Sequence, residues 1–151
     1  MNASISDILT LQRTQWGTQC SSKKRLIEHI SNFLSLHIED AQADDIYERL
    51  ITREKLGSTG IGEGIAIPHC RLSECNETQG ALFILDTPVD FDSIDRRSVD
   101  IIFVLLVPQE ATEQHLKTLS MLAQKFNKSE FRDQLRQAKN NDELYQVAIQ
   151  A

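Results

Sequence analysis

His69 is the residue that the sequence places best for covalent chemistry. It follows Pro68, which ends the short apolar run 65–67. Proline fixes its own φ and donates no amide hydrogen, so it sets the direction in which the next side chain leaves the strand. Four of the six glycines lie just upstream, from Gly57 to Gly64, where the backbone must bend sharply or approach another group closely. A neutral imidazole near pH 7 can form a phosphoramidate, so this segment suits a phosphoryl group carried on His69.

The loop before His69 offers polar groups that suit an anion. We predict a phosphoryl-binding loop built from backbone amides and two hydroxyls, namely Gly57, Ser58, Thr59, Gly60 and Gly62. A dinucleotide fingerprint follows a strand and opens a helix, whereas this loop follows a predicted helix and opens a strand. A plain tight turn is the alternative interpretation of the same residues.

Two further side chains could act with His69. Arg53 lies in the last turn of a predicted helix and could reach His69 through the fold, although such an arginine is most often a solvated cation at the negative end of the helix dipole. His115 lies in the first turn of a later predicted helix, where the dipole disfavours imidazolium and favours a nearby anion. It could donate a hydrogen bond to a phosphoryl oxygen or hold the tautomer of His69. The alternatives are an exposed helix residue for His115 and a carbonyl-bonded strand-end histidine for His69.

The cysteines and the other histidines give no sign of a metal site. Cys70 and Cys75 have a Cys-x4-Cys spacing with one adjacent histidine and no second cysteine pair, which is not a zinc-ribbon pattern. We predict no metal and no cofactor. His29 and His37 lie on or just after the first predicted helix and are interpreted as surface residues.

Length, charge and composition narrow the class of protein. A chain of 151 residues is the size of one domain. Its net charge of −6 and pI of about 5.2 argue against a nucleic-acid partner. The longest apolar run, Ile101–Val107, has seven residues and is too short to cross a bilayer as a helix. Three cysteines without a disulfide framework and no signal segment indicate a cytoplasmic protein without membrane insertion.

The predicted elements alternate between helices and strands. Helices are expected over 22–36, 41–56, 112–126, a shorter one around 131–138, and a last one from Asn141 or Asp142, with Ser21 or Ser22 and Thr112 as caps. Strands are expected over 65–69, 80–85, 89–91 as an edge or hairpin strand, and 98–107 as a strand buried on both faces. Residues 1–19 are interpreted as an irregular lead-in with one short strand or turn. The pattern predicts an α/β single-domain sandwich over 1–151, with a central mixed β-sheet flanked by helices on both faces.

Long stretches of the chain match a known pattern. They are Thr52–Gly62 running into Ile65–His69, Leu85–Asp95, Val99–Asp100, Leu105–Pro108, His115–Ser120 and Asp142–Gln146. Together they resemble the phosphotransferase-system enzyme IIA domains of the fructose/mannitol type, and within that type the nitrogen-regulatory branch. The resemblance covers nearly the whole chain.

The resemblance implies a phosphocarrier. In this family the histidine of the Ile-Pro-His motif accepts a phosphoryl group from an HPr-like phosphocarrier protein, and that position is His69. The family's guarding arginine matches Arg53, and its second active-site histidine matches His115. The resemblance therefore favours an active-site role for these three residues over the structural alternatives given above. The family fold, a mixed sheet flanked by helices, agrees with the predicted elements.

The resemblance also implies the kind of partner. It favours a regulator that switches target proteins in nitrogen and potassium homeostasis by its phosphorylation state. One alternative is a sugar-specific enzyme IIA that passes the phosphoryl group to a IIB domain, and another is a binding module that kept the fold and lost the chemistry. The intact Arg53, His69 and His115 argue against the binding module. The absence of a fused IIB or membrane domain and the helix start at 22–24 favour the regulatory branch.

Two residues depart from the family pattern. Cys70 stands where the family usually has glycine after the active histidine, so a β-carbon could narrow the backbone geometry there. Glu63 stands where asparagine or another neutral residue is common, and a carboxylate pointing inward would weaken an anion site. Both departures concern the rate of phosphoryl transfer and the fit to partner proteins more than the function itself.

Overall fold

The computed structural model describes residues 4–111 and 113–150, which form six helices and six strands. In chain order they are α1 (Ile5–Ile8), β1 (Leu9–Thr18), α2 (Lys23–Ser35), α3 (Ala43–Lys55), β2 (Gly60–Gly62), β3 (Ile65–Ala66), β4 (His69–Arg71), β5 (Gln79–Val89), β6 (Val99–Val107), α4 (Glu113–Phe126), α5 (Ser129–Gln137) and α6 (Asn141–Gln150). Of the helices in the described ranges, none is long and apolar enough to span a membrane.

The six strands form one mixed sheet in the order β1-β5-β6-β3-β2, with β4 also pairing with β6. Strand β5 is antiparallel to β6, whereas β3 and β4 run parallel to it. Along 101–107 of β6, the odd-numbered side chains pack with α1, α4, α5 and α6, and the even-numbered ones pack with α2 and α3. This alternation explains the continuous apolar run in the sequence, because both faces of the strand are buried. The predicted sandwich with helices on both faces is confirmed.

The helix that carries Arg53 is held against the edge strand that carries His69. Helix α3 buries Ile46 and Leu50 in the core that it shares with α2, and its last turn lies beside β4. Helix α2 begins as predicted after Ser22, whose side chain accepts a hydrogen bond from the Arg25 amide at 3.2 Å. The predicted cap Thr112 lies outside the described residues.

The irregular lead-in predicted for residues 1–19 is wrong for residues 5–18; residues 1–3 lie outside the described ranges. Residues Ile5–Ile8 form a short helix, and Leu9–Thr18 form a ten-residue strand that pairs with β5 in parallel. The register of this strand shifts between Leu9 and Thr14 and again after Gln15. These irregularities break the two-residue alternation by which a half-buried strand is recognised, and the strand buries polar Thr14 and Thr18.

Two further boundaries differ from the prediction. The separate strand expected at 89–91 does not form; instead β5 continues through 86–88, with a register shift, and ends at Val89 opposite Val99. The strand expected at 65–69 is divided into β3 and β4 by Ile67 and Pro68. Pro68 has no amide hydrogen to donate to a ladder, although its carbonyl accepts from the Leu105 amide at 2.9 Å.

The departure at Glu63 lies in a two-residue hairpin turn. Gly62 pairs with Ile65, so Glu63 and Gly64 connect β2 to β3, and their φ angles are 59° and 81°. Positive φ at both central positions is the signature of a type I′ turn, for which asparagine followed by glycine is favoured. A preference for asparagine at this position therefore has a conformational reason that does not involve charge.

Candidate functional site

His69 is fixed by hydrogen bonds at both ring nitrogens. Its Nδ1 lies 2.8 Å from the Ile67 carbonyl oxygen, and its Nε2 accepts from Arg53 Nε at 3.2 Å. A carbonyl can only accept and a guanidinium can only donate, so the proton belongs on Nδ1 and the lone pair on Nε2. Arg53 is held in turn by a bond from Nη1 to the Gly57 carbonyl at 2.9 Å. Arg53 is thus directed at the candidate nucleophile.

His115 approaches the same imidazole from the opposite layer of helices. It lies in the first turn of α4, and its ring centroid is 5.4 Å from that of His69, with the planes inclined by 53°. Its Nδ1 is buried and has no hydrogen-bond partner in the described part of the chain. A buried ring nitrogen without a partner is costly. The ring as a whole lines the same cleft as His69.

Burial keeps the His69 imidazole neutral. Burial lowers its pKa below the ordinary value and is the largest effect, which the hydrogen bond to Ile67 partly offsets. The positive charge of Arg53 lowers the pKa further, and the carboxylate of Glu54 raises it. The pKa of His115 is lowered first by burial and then by its nearness to the second titratable ring of His69 and to Arg71 and Arg53. Both rings are therefore neutral near pH 7, the form that a nucleophile needs.

The two histidines and Arg53 open onto a cleft of about 540 Å³. Its lining residues are Asp45, Glu48, Arg49, Thr52, Arg53, Leu56, His69, Cys70, Arg71, Gln109 and His115. Arg49 donates to the Arg71 carbonyl at 3.3 Å, and Arg71 donates to the carbonyls of Gln109, at 3.0 Å, and Ala111. Arg71 thereby orders the segment that leads into α4. Three guanidinium groups outnumber the two lining carboxylates, of which Asp45 pairs with Arg49 at 3.2 Å, so the cleft suits an anion. Sequence reasoning missed Arg49 and Arg71, since an isolated arginine gives no signal of this kind.

The glycine loop lies outside this cleft. None of its five predicted residues, all within the described ranges, lines the cleft. The Ser58 hydroxyl donates to the Phe91 carbonyl at 2.7 Å, and both the amide and the hydroxyl of Thr59 donate to the carboxylate of Glu54. Both hydroxyls are thus engaged in hydrogen bonds to other parts of the protein, Phe91 and Glu54. Phosphoryl binding by the loop stays a prediction.

Neither departure from the family pattern blocks the cleft. The Cys70 side chain belongs to the core shared with α2 and α3, and burial raises the pKa of its thiol to about 12, so it is no competing nucleophile. The carboxylate of Glu63 lies 3.3 Å from Arg97 Nη1 and is not among the groups that line the cleft.

Cys75 is also buried, and burial raises its thiol pKa to about 11. In residues 4–111 and 113–150 no group of three or more potential metal ligands occurs.

The two remaining histidines lie away from the cleft. His37 is exposed as predicted and stacks on Phe33 at a centroid distance of 4.4 Å. His29 is half-buried, which corrects the surface interpretation: its Nε2 lies 2.6 Å from Gln15 Oε1, and its ring meets Phe83 edge-on at 6.1 Å. The strand that supplies Gln15 was not predicted, so the cover over His29 could not be foreseen.

Comparison with known proteins gives a consistent result. Residues 7–150 match the model of the phosphoenolpyruvate-dependent sugar phosphotransferase system EIIA 2 family. The chain is 46% identical over 145 residues to a nitrogen regulatory protein of Pseudomonas aeruginosa, covering 96% of this chain and 94% of that one. It superposes on the nitrogen regulatory protein IIA-Ntr of Neisseria meningitidis with a TM-score of 0.89 at 39% identity, covering 95% and 98% of the two chains. The Escherichia coli mannitol enzyme IIA, solved in complex with phosphorylated mannitol enzyme IIB, shares the fold with a TM-score of 0.73 at 16% identity, covering 95% and 100%.

The electrostatics of the cleft predict how His69 titrates. Its midpoint, followed by NMR of the ring, should lie below the ordinary value of 6.5 and should rise in Arg53→Ala, because a nearby cation that disfavours imidazolium is removed. Arg49→Ala is the matched control: it removes another arginine of the same cleft that does not bond to His69, and it should leave the midpoint near that of the parent. A parent midpoint at or above 6.5, or a fall in Arg53→Ala, would contradict the geometry described.

Proposed function

Because the chain belongs to the EIIA 2 family of the phosphoenolpyruvate-dependent sugar phosphotransferase system, we propose that it is a phosphocarrier whose acceptor atom is Nε2 of His69. The family is a component of a phosphoryl-transfer system. The observation that carries the proposal is the pair of bonds at the His69 ring, which leaves a lone pair on Nε2 inside the arginine-lined cleft. The donor is an HPr-like phosphocarrier protein, and the reaction uses no metal or cofactor.

In the proposed transfer only the phosphoryl group moves, and the donor histidine ring and the His69 ring each keep their N–H proton. Nε2 of His69 attacks the phosphorus of the donor phosphohistidine, an N–P bond forms at His69, and the N–P bond of the donor breaks. The donor ring leaves as a neutral imidazole, and the ring of His69 becomes a phosphorylated imidazolium. The Ile67 carbonyl, 2.8 Å from Nδ1, then stabilises the positive ring. A backbone acceptor held in place costs no reorganisation during the step.

Arg53 and His115 would stabilise the transferred group. Arg53 already donates to Nε2, so its guanidinium lies where the phosphoryl oxygens arrive and can turn its donors onto them. His115 lines the same cleft, with its ring centroid 5.4 Å from that of His69, and would contact the same group. Because His115 is neutral, it can donate one hydrogen bond to a phosphoryl oxygen without adding a second charge.

A protein donor needs an accessible, apolar rim around the cleft. Leu56, which lines the cleft, is 81% exposed, and Leu116, next to His115, is 66% exposed. Exposed leucines beside a reactive centre suit docking of another protein, whose own phosphohistidine must be brought into line with His69. The proposed setting is the cytoplasm, where the phosphocarrier donors work.

We favour a regulatory role over sugar transport. The similar chains of Pseudomonas aeruginosa and Neisseria meningitidis are named nitrogen regulatory proteins, at 46% and 39% identity, whereas the mannitol enzyme IIA is 16% identical. Phosphorylation places about two negative charges on the docking face near neutral pH. A target protein that buries this face would have to desolvate them, so it would bind the unmodified form better. The targets we propose act in nitrogen and potassium homeostasis.

Substitution of the acceptor tests the proposal. His69→Ala should keep the fold and abolish phosphoryl acceptance, because it removes the Nε2 acceptor that the bonds to Arg53 and Ile67 hold in place. Intact-mass measurement after incubation with a phosphorylated HPr-like protein reports one added phosphoryl group in the parent and none in the variant. His37→Ala, which removes an exposed histidine outside the cleft, should accept the group like the parent. A His69→Ala protein that still gains a phosphoryl group would show that the acceptor lies elsewhere.

Binding to a co-purified target separates regulation from transport. Calorimetric titration of the target with the unmodified and the phosphorylated protein should show weaker binding of the phosphorylated form, owing to the buried charge. The same phosphorylated sample is offered a IIB domain of the mannitol type. Equal affinity of the target for both forms, together with rapid discharge to the IIB domain, would replace the regulatory proposal with the sugar-specific one.

A further inference from the structure

A buried carboxylate next to the cleft has no part in the mechanism described so far. The side chain of Glu54 is 4% exposed, although it follows Arg53 directly on α3. It lies 2.9 Å from Lys23 Nζ and accepts bonds from the Thr59 amide, at 3.2 Å, and the Thr59 hydroxyl. A buried charge is tolerated only where partners replace its lost hydration. Its partners, Lys23 and Thr59, replace that hydration, and Glu54 in turn holds Thr59 in place.

One set of bonds runs from Glu54 to the Nδ1 side of His69. Glu54 holds Thr59, the Thr59 carbonyl accepts from the Ile67 amide at 3.0 Å, and the Ile67 carbonyl accepts from His69 Nδ1 at 2.8 Å. Ile67 lies in the gap between β3 and β4, before a proline that has no amide to offer. The Ile67–Pro68 pair is therefore held from two sides, by the Thr59 carbonyl and by the bond of the Leu105 amide to the Pro68 carbonyl at 2.9 Å, and Thr59 is the side that leads to Glu54.

A second set of bonds reaches the Nε2 side of the same ring. The Glu54 carbonyl accepts from the Gly57 amide at 3.1 Å, and the Gly57 carbonyl accepts from Arg53 Nη1 at 2.9 Å. Arg53 Nε then contacts His69 Nε2 at 3.2 Å. Both nitrogens of the ring are thus connected to the short segment that begins at Glu54.

Lys23 anchors this segment to a neighbouring loop. Lys23, the first residue of α2, places its Nζ 4.6 Å from the centroid of the Phe91 ring and 3.6 Å from Asp92. The Phe91 carbonyl accepts from the Ser58 hydroxyl at 2.7 Å. The loop before His69 is therefore fixed from two sides, by Glu54 and by the segment that carries Phe91.

We propose that Lys23, Glu54 and Thr59 are positioning residues that set which nitrogen of His69 carries the proton and how its ring faces the phosphoryl donor. The proposal rests on the function proposed above for His69. The network acts through the Ile67 carbonyl, and none of its three side chains touches the reacting atoms. When the network is broken, the carbonyl of Ile67 shifts, the Nδ1 proton is no longer held, and the lone pair is shared between the two ring nitrogens.

The test compares variants that cut the network at different points. Glu54→Gln removes the charge, and Lys23→Met with Glu54→Gln removes both charges together. Thr59→Val removes the hydroxyl while the Thr59 amide remains, and Thr59→Ser restores the hydroxyl as the conservative variant. Asp100→Asn is the matched control, because it likewise removes one carboxylate charge, here from the partly buried pair of Asp100 and Arg136, 2.9 Å apart, which does not lead to His69. Circular dichroism confirms the fold of each variant.

Two readouts are taken on each folded variant. The first is the tautomer of His69 from the ¹⁵N shifts of its ring, and the second is the rate of phosphoryl acceptance from the HPr-like donor. We expect Glu54→Gln, the double variant and Thr59→Val to show mixed tautomers and rates lower by about 10- to 100-fold, since small misplacements of reacting groups cost this much. Thr59→Ser and Asp100→Asn should keep the Nδ1–H tautomer and the parent rate.

The outcomes distinguish this proposal from the proposed function. A single Nδ1–H tautomer in Glu54→Gln and Thr59→Val overturns the positioning role, whatever the rate. If the Glu54 variants do not fold, Thr59→Val decides alone, because it removes one hydroxyl without leaving a buried charge unpaired. If the parent is not phosphorylated on His69, the proposed function fails, while the tautomer readout still tests whether the network controls the ring.

Discussion

The hydrogen bond between His69 Nδ1 and the Ile67 carbonyl governs the chemistry of this fold. In solution either ring nitrogen of a neutral histidine can be the nucleophile, and this 2.8 Å bond selects Nε2 by keeping the proton on Nδ1. The carbonyl is available because Pro68 interrupts the edge strand immediately after Ile67. Ile67 thus lies between β3 and β4, where its carbonyl accepts from the His69 ring.

Opposing electrostatic effects are balanced around that ring. Burial and the charge of Arg53 favour the neutral imidazole before transfer, whereas the Ile67 carbonyl and Glu54 favour the positive ring that follows it. In the proposed transfer the role of Arg53 would reverse, since the cation that disfavours imidazolium would also stabilise an incoming phosphoryl group. The same side chain can thus keep the nucleophile neutral at rest and hold the product afterwards.

The sequence predicted those elements whose pattern is local. The continuous apolar run of β6 and the apolar face of α2 behind its serine cap were sufficient to place these two elements. Arg53, His69 and His115 were singled out by their positions and by the family motif. Strand β1 was missed because its register shifts hide the alternation. Glu54 was missed for another reason: a glutamate near a helix end is normally solvated, and its burial depends on Lys23 and Thr59, which the fold brings to it.

The position of the phosphoryl group on the ring tests the central claim most directly. The protein, labelled with ¹⁵N in its histidines, is phosphorylated by the HPr-like donor and examined by ¹⁵N and ³¹P NMR. The account predicts a single phosphohistidine at His69 with phosphorus bonded to Nε2 and with the proton still on Nδ1. A phosphoryl group on Nδ1 of His69 would contradict the account, because that nitrogen could react only if its bond to the Ile67 carbonyl did not fix the tautomer.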